Sequence, residues 1–327
     1  MIRYIIKRIL MIIPVLLCVA IVIFSIMYIA PGDPVQIILG DNATPEQYAQ
    51  QQALLGLDKP FLIQMLIFLR DLFLHLDLGT SYVLKTNVAA EVFARLPRTV
   101  LIAAICCVLQ VIVAIPLGIT AAKHQNGFVD KLCILLAMIG ISVPGFWLGM
   151  LLMLEFGLNL NWLPISGVDH WYSYILPCLA NGLMGIGGMT RMTRSQMLEV
   201  IHSDYVVTAR AKGVPERKIL YVHALPNAML PIITFIGTHF GTALGGTVVI
   251  ETVFAIPGIG YYIIQAVGNR DYPIVRGGVT VLALLFCIVV LLMDIAYAFI
   301  DPRIKAMYQN SGRKRPLRIK GGAAANA

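Results

Sequence analysis

The chain has 327 residues, 58% of them hydrophobic and 13% charged, with a formal net charge of +8. Soluble domains run at about 45–50% apolar and about 25% charged residues, so these few charges cannot cover a water-soluble protein of this size. The same apolar and aromatic content excludes a disordered chain. What remains is a protein whose main solvent is lipid, in keeping with a mean hydropathy of +0.81.

A bilayer core of about 30 Å requires roughly 20 consecutive apolar residues in a helix, and the sequence predicts six such spans. Residues 9–30 hold no charge and follow Arg3, Lys7 and Arg8. The run outlasts the about 7–15 apolar residues of a secretory signal, and Ile29-Ala30-Pro31-Gly32 is no cleavage site. It reads as a retained helix. Residues 31–99 open with Pro31-Gly32-Asp33-Pro34 as a stop. They continue with Thr44 as an N-cap before Pro45 and an amphipathic stretch at 61–76 after Pro60, which together suggest a small cap of short helices. Residues 100–122 and 132–154 are the second and third uncharged runs. Residues 172–190 are a weaker fourth, carrying Pro177, Asn181 and four glycines. Residues 229–250, with Pro231 and His239, form the fifth, and residues 277–300, with Asp294, the sixth.

Lysine and arginine fall mainly in alternate loops. With the N-terminus inside, segments 1–8, 123–131, 191–228 and 301–327 carry 18 of the 25, and the outer segments carry 7. The positive-inside rule then puts both termini in the cytoplasm. The net charge is a topology signal, and a nucleic-acid partner has nothing to add. The chain divides into an N-terminal segment with the first helix (1–30), an external cap (31–99), a core with five spans (100–306) and a basic tail (307–327). That tail is expected to be an ordinary flank, with anionic lipid as a second reading.

Catalytic patterns are missing. No phosphate-cradling G-x-x-x-x-G-K-[ST] loop, H-E-x-x-H or G-x-S-x-G occurs. The six histidines lack ligand spacing, and the six cysteines lie in spanning runs without a C-x-x-C pair. His239 alone among the histidines lies in a span, where helix packing or pore polarity competes with metal contact. Asp294 is a costly intramembrane acid, read either as a gate or inter-helix pin or as a carboxylate snorkelling to the interface. Gly237, Gly241 and Gly245 make a small-xxx-small row that permits close helix approach.

Segment 191–228 is the informative one. Asp204, in the N-cap position of a short helix, and Gly213, as its stop, frame Tyr205, Thr208, Ala209, Arg210, Ala211 and Lys212. Ten residues, 214–223, lead on to Ala224-Leu225-Pro226. This pattern resembles the cytoplasmic loop signature of permease subunits in ATP-binding-cassette importers. Ala209, Gly213, Leu225 and Pro226 match it, while Val207 stands in place of a Glu and His223 in place of an Ile. Further motifs resemble the peptide and nickel permeases: TARAKG at 208–213, PGDP at 31–34, LGLDKP at 55–60, PGFWLG at 144–149 and RMTRSQMLEV at 191–200. HALPNAMLP at 223–231, FAIPGIG at 254–260, RDYP at 270–273 and DPRI at 301–304 continue the match. The long cap resembles that of the B-type subunit of dipeptide and oligopeptide systems.

The resemblance implies an all-α type I importer permease in a bacterial inner membrane, without catalytic residues, metal or cofactor of its own. It implies a second permease, two ATPase subunits that bind ATP and magnesium, and an external binding protein. Residues 208–213 would be the coupling helix. Peptides are the expected cargo, with nickel chelates or glutathione as alternatives on the same architecture. The pathway is expected along Pro144 and Trp147 of span three and Gly237, His239, Gly241 and Gly245 of span five. A self-contained secondary transporter, which would favour inverted repeats and midplane charged sites, and an intramembrane enzyme are the readings from other classes.

Overall fold

A computed structural model describes residues 2–40 and 43–300, and every regular element among them is helical. The first span is α1 (Ile2–Ile29). The stop at Pro31 leads into three short helices, α2 (Pro34–Leu39), α3 (Pro45–Leu54) and α4 (Phe61–Leu74). Their starts are local chemistry. The Asp33 side chain accepts from the Val35 N–H at 2.8 Å, and Thr44 and Gln47 form a reciprocal capping box. Tyr48 also donates to Asp33, and that hydrogen bond, with burial and the carboxylate charge adding to it, pushes the phenol above its ordinary pKa. The cap leans on α1 through Phe61 and Phe68, whose ring centroids lie 5.6 Å from that of Phe24.

The core begins with α5 (Val88–Lys123), started by the Asn87 side chain and continuous through Pro97 and Pro116. Next come α6 (Phe128–Ser142) and α7 (Gly145–Leu152), bent by 93° relative to each other. The expected third span is therefore broken. Pro144 has no N–H to donate and pushes Val143 into an extended conformation. A π-helical segment, Met153–Asn159, follows α7. α8 (Ile175–Ile201) runs without interruption past Arg191 and Arg194, so the loop expected from residue 191 opens only after Ile201.

The loop itself is α9 (Asp204–Ala211), α10 (Glu216–Lys218) and a π-helical segment, Ile219–Ala224. The last of these feeds directly into α11 (Leu225–Val253). Two short-range expectations shift here. Ser203 rather than Asp204 holds the N-cap position, and most of the connection at 214–223 is helical. α12 (Ile259–Gly268) and α13 (Tyr272–Ile300) complete the described chain. The basic tail and the DPRI motif lie outside the described residues.

Among the described residues, four helices are long and apolar enough to cross a bilayer, and the bent α6–α7 pair supplies a fifth. The weaker fourth expected span, 172–190, falls in α8, 27 residues long, whose glycines, Asn181 and arginines leave it short of that standard. α8 is nevertheless the centre of the bundle, packed against α5, α6, α7 and α11. Two glycines permit this closeness. A Cβ on Gly118 would stand 2.5 Å from the Thr193 Cβ, and one on Gly187 would stand 2.2 Å from the Ala137 carbonyl oxygen. Three buried clusters result. One joins α5, α8, α11 and the π-helical segment at the end of the molecule bearing α9. A second gathers around Ile102 of α5, Leu176 at the start of α8 and Phe254 just beyond α11. The third joins α1, α5, α12 and α13 at the cap end.

Candidate functional site

α9 is a surface helix. Val206 is its one fully buried side chain, whereas Tyr205, Val207, Thr208, Arg210, Ala211, Lys212 and Gly213 are exposed and Ala209 is half-buried. Tyr205 is 45% and Val207 56% exposed. Gly213 sits at φ +77°, where a left-handed backbone ends the helix, and a Cβ there would meet nothing within 4 Å. Any penalty for a larger residue would thus be conformational.

Arg210, expected among the outward contacts, is bound within the loop. Its Nη2 and Nε donate to the Glu216 carboxylate at 2.8 and 3.2 Å, and this hydrogen bond raises the Arg210 pKa. Lys212 remains exposed. Leu225 and Pro226 form the first turn of α11, with Leu225 packed against the buried cluster at this end and Pro226 exposed. The loop signature therefore spans two structural roles, an exposed helix and the start of a core helix.

The residues expected along a pathway do not share one environment. Pro144 and Trp147 are exposed beside the α6–α7 break. Gly237 and Gly241 instead face α13, where a Cβ would collide with Met293 and Phe286 respectively. Gly245, on the same row, faces open space. His239 is half-buried, its ring 4.7 Å from Phe235 and close to Gly188 of α8. No cluster of three metal-ligating side chains exists among the described residues. Asp294 forms an ion pair with Arg8 of α1 at 2.8 Å, which favours the inter-helix pin.

Sequence reasoning missed three polar ties. At the cap end, the Thr99 hydroxyl donates to Glu251 at 2.6 Å and accepts from the Ile259 N–H at 2.9 Å, while Glu251 also accepts from the Tyr261 N–H at 3.0 Å. Asp271, buried, takes the Tyr82 and Val83 N–H groups at 3.0 and 3.2 Å and the Ser81 hydroxyl at 2.5 Å. It fastens the cap's last loop to the start of α13. Near α9, Arg194 donates twice to Asp130, at 2.6 and 2.7 Å, and Asp130 also accepts from the Asn126 N–H. The signal that could have found Asp130 and Glu251 is the one that flagged Asp294: an acid at the edge of an apolar run needs a partner. Beside the Asp130–Arg194 pair, α6, α8 and α11 line an open cavity of about 810 Å³.

Comparison with known proteins agrees along nearly the whole chain. Residues 114–306 match the family described as binding-protein-dependent transport system inner membrane component, and residues 1–103 match its N-terminal companion. The dipeptide transport system permease protein DppB of Alkalihalophilus pseudofirmus is 38% identical, covering 93% of this chain and 100% of its own. The glutathione transport system permease protein GsiC of Salmonella typhimurium is 40% identical, covering 93% of this chain and 99% of its own. Among solved structures, a chain from the inward facing MetNI methionine ABC transporter superposes with a TM-score of 0.54 at 14% identity, covering 65% of this chain and 97% of that one. This last likeness concerns the fold alone.

Proposed function

The chain belongs to the binding-protein-dependent transport system inner membrane component family, and from that premise we propose a peptide pathway formed jointly with a second permease. It is a multi-pass inner-membrane permease subunit of an ABC importer. Two relatives named for dipeptide and glutathione transport, at 38% and 40% identity, support a short peptide as cargo. Glutathione is itself a tripeptide, so both names fall in one chemical class.

In this reading the chain hydrolyses nothing. Two separate ATPase subunits bind ATP and magnesium, and an external binding protein delivers the peptide against the cap at 31–99 and the 251–276 region. Both termini are cytoplasmic, and α8 completes the six spans, packed on α5, α6, α7 and α11. Pro144, Trp147, His239 and Gly245 line the shared pathway, while Gly237 and Gly241 hold α11 against α13.

The observation that carries the proposal is α9. A short, exposed, partly apolar helix with a defined start and a left-handed glycine stop suits docking into a groove of a soluble partner. α9 transmits ATPase motion to the bundle, a ligand-biased rigid-body change. Gly213→Val tests this. A β-branched residue at φ +77° is strained by roughly 1–2 kcal/mol, and with no neighbour to clash the damage stays local. In the importer reconstituted with its partner subunits, peptide uptake should fall well below the wild-type rate while ATP hydrolysis continues and the complex still assembles. Normal uptake would count against the assignment of α9.

A further inference from the structure

The cavity between α6, α8 and α11 has an unbalanced charge. Its lining holds one acid, Asp130, and three cations, Lys131, Arg191 and Arg194. Asp130 is fully engaged. Both of its oxygens take Arg194 at 2.6 and 2.7 Å, and one also takes the Asn126 N–H at 2.8 Å. Lys131 and Arg191 make no hydrogen bond or ion pair with any described residue, and both are exposed. The rest of the lining is largely apolar, with Ile134 and Met138 of α6 and Phe235 of α11. The volume of about 810 Å³ lies within the range of small-molecule sites.

We propose that this cavity receives the carboxylate-bearing end of a peptide in transit, with Arg191 and Lys131 holding the carboxylate and the apolar wall taking the side chains. The inference rests on the reading of the chain as a peptide permease. Guanidinium is suited to a planar carboxylate, which it grips with two parallel hydrogen bonds. The positive-inside rule accounts for cations near this end of the molecule. It does not require two of them to line a cavity whose single acid is already spent. A free inorganic anion shares the charge chemistry but leaves the apolar wall unused.

The test uses the importer assembled from the full chain and its partner subunits in lipid nanodiscs. Ser195, another lining residue, is replaced by cysteine. Labelling by anionic sulfonatoethyl methanethiosulfonate is then compared with labelling by its cationic trimethylammonium counterpart. Rates are normalised to a free thiol in solution and corrected for the parent chain's own cysteines. The anionic reagent should react on the order of tenfold faster. The preference should vanish in R191Q/K131Q and persist in R191K/K131R. Millimolar Ala-Phe should slow labelling, whereas its C-terminal amide and inorganic phosphate should not. Equal rates for the two reagents would overturn the proposal, as would equal protection by Ala-Phe and its amide, or protection by phosphate alone. Peptide uptake by the parent importer is measured in parallel. Failure there counts against the permease reading, whereas the labelling bias reports on the cavity alone.

Discussion

Removing the Thr99 hydroxyl should cost more than any other single-atom change at the cap end. Thr99 on α5 serves two partners in a fully buried setting, donating to Glu251 of α11 and accepting from the backbone N–H of Ile259 at the start of α12. Thr99→Val keeps the shape and deletes the oxygen. It leaves the Ile259 N–H without a partner and takes one donor from the buried Glu251 carboxyl. Each orphaned group costs about 1–3 kcal/mol, so the loss is roughly 3–4 kcal/mol. For a chain of this length, at about 2–4 °C per kcal/mol, the apparent melting midpoint should drop by on the order of 10 °C. Thr99→Ser keeps the hydroxyl and loses one methyl, a change of about 1 kcal/mol. The assay is tryptophan fluorescence during heating of the purified protein in detergent, at one scan rate for all variants. Equal drops for valine and serine, or no drop for valine, would refute the claim that this hydroxyl bridges the three helices.

Two other outcomes follow from contacts of the same kind. Arg194→Met should destabilise more than Asp130→Asn in the same melt, by roughly 3 against 1–2 kcal/mol. The reason is that the Asp130 side chain is only 4% exposed while Arg194, at 24%, can reach water; a reversed order would show that the pair is not buried as described. Gly118→Val should cost about 1–3 kcal/mol through overpacking against Thr193. Gly245→Ala, with nothing within 4 Å, should leave the midpoint unchanged, and a similar loss in both would remove the packing argument.

Local chemistry was legible in the sequence and distant pairing was not. The Thr44–Gln47 capping box and the left-handed Gly213 depend on residues within a turn of each other, so residue type and spacing suffice to place them. The break at Pro144 follows from the missing N–H, although its 93° angle is set by what α6 and α7 pack against. α8 continues past Arg191 with one face, at Thr193, Met197 and Ile201, buried against its neighbours, and charge counting cannot detect such packing. The Thr99–Glu251 and Asp130–Arg194 ties join residues 152 and 64 positions apart, with no periodicity to reveal them. The glycine row at 237–245 illustrates the limit within a single helix. Its spacing permits close approach, yet two of its members meet α13 and the third meets nothing.

The absence of side-chain clearance at Gly118 and Gly187 has a mechanical consequence. α5, α6 and α8 approach too closely to admit even a methyl group between them, so in kinematic terms they are one link of a mechanism. Its joints must lie where the backbone leaves α geometry, at Val143–Pro144 and in the wide turn Ile219–Ala224. That second joint connects α10 to α11 with no non-helical residue between, and the Arg210–Glu216 pair ties α9 to α10. In the proposed reading, a displacement of α9 would therefore reach the 29-residue α11 at its base. At about 1.5 Å per residue α11 is roughly 43 Å long, and its far end is held to α5 by the Thr99–Glu251 hydrogen bond, so it would take up such a displacement as a bend or a twist. The wide turn would then act as a sprung mount: a shift of a side chain's width at the loop would load a helix whose opposite end is pinned by one threonine hydroxyl.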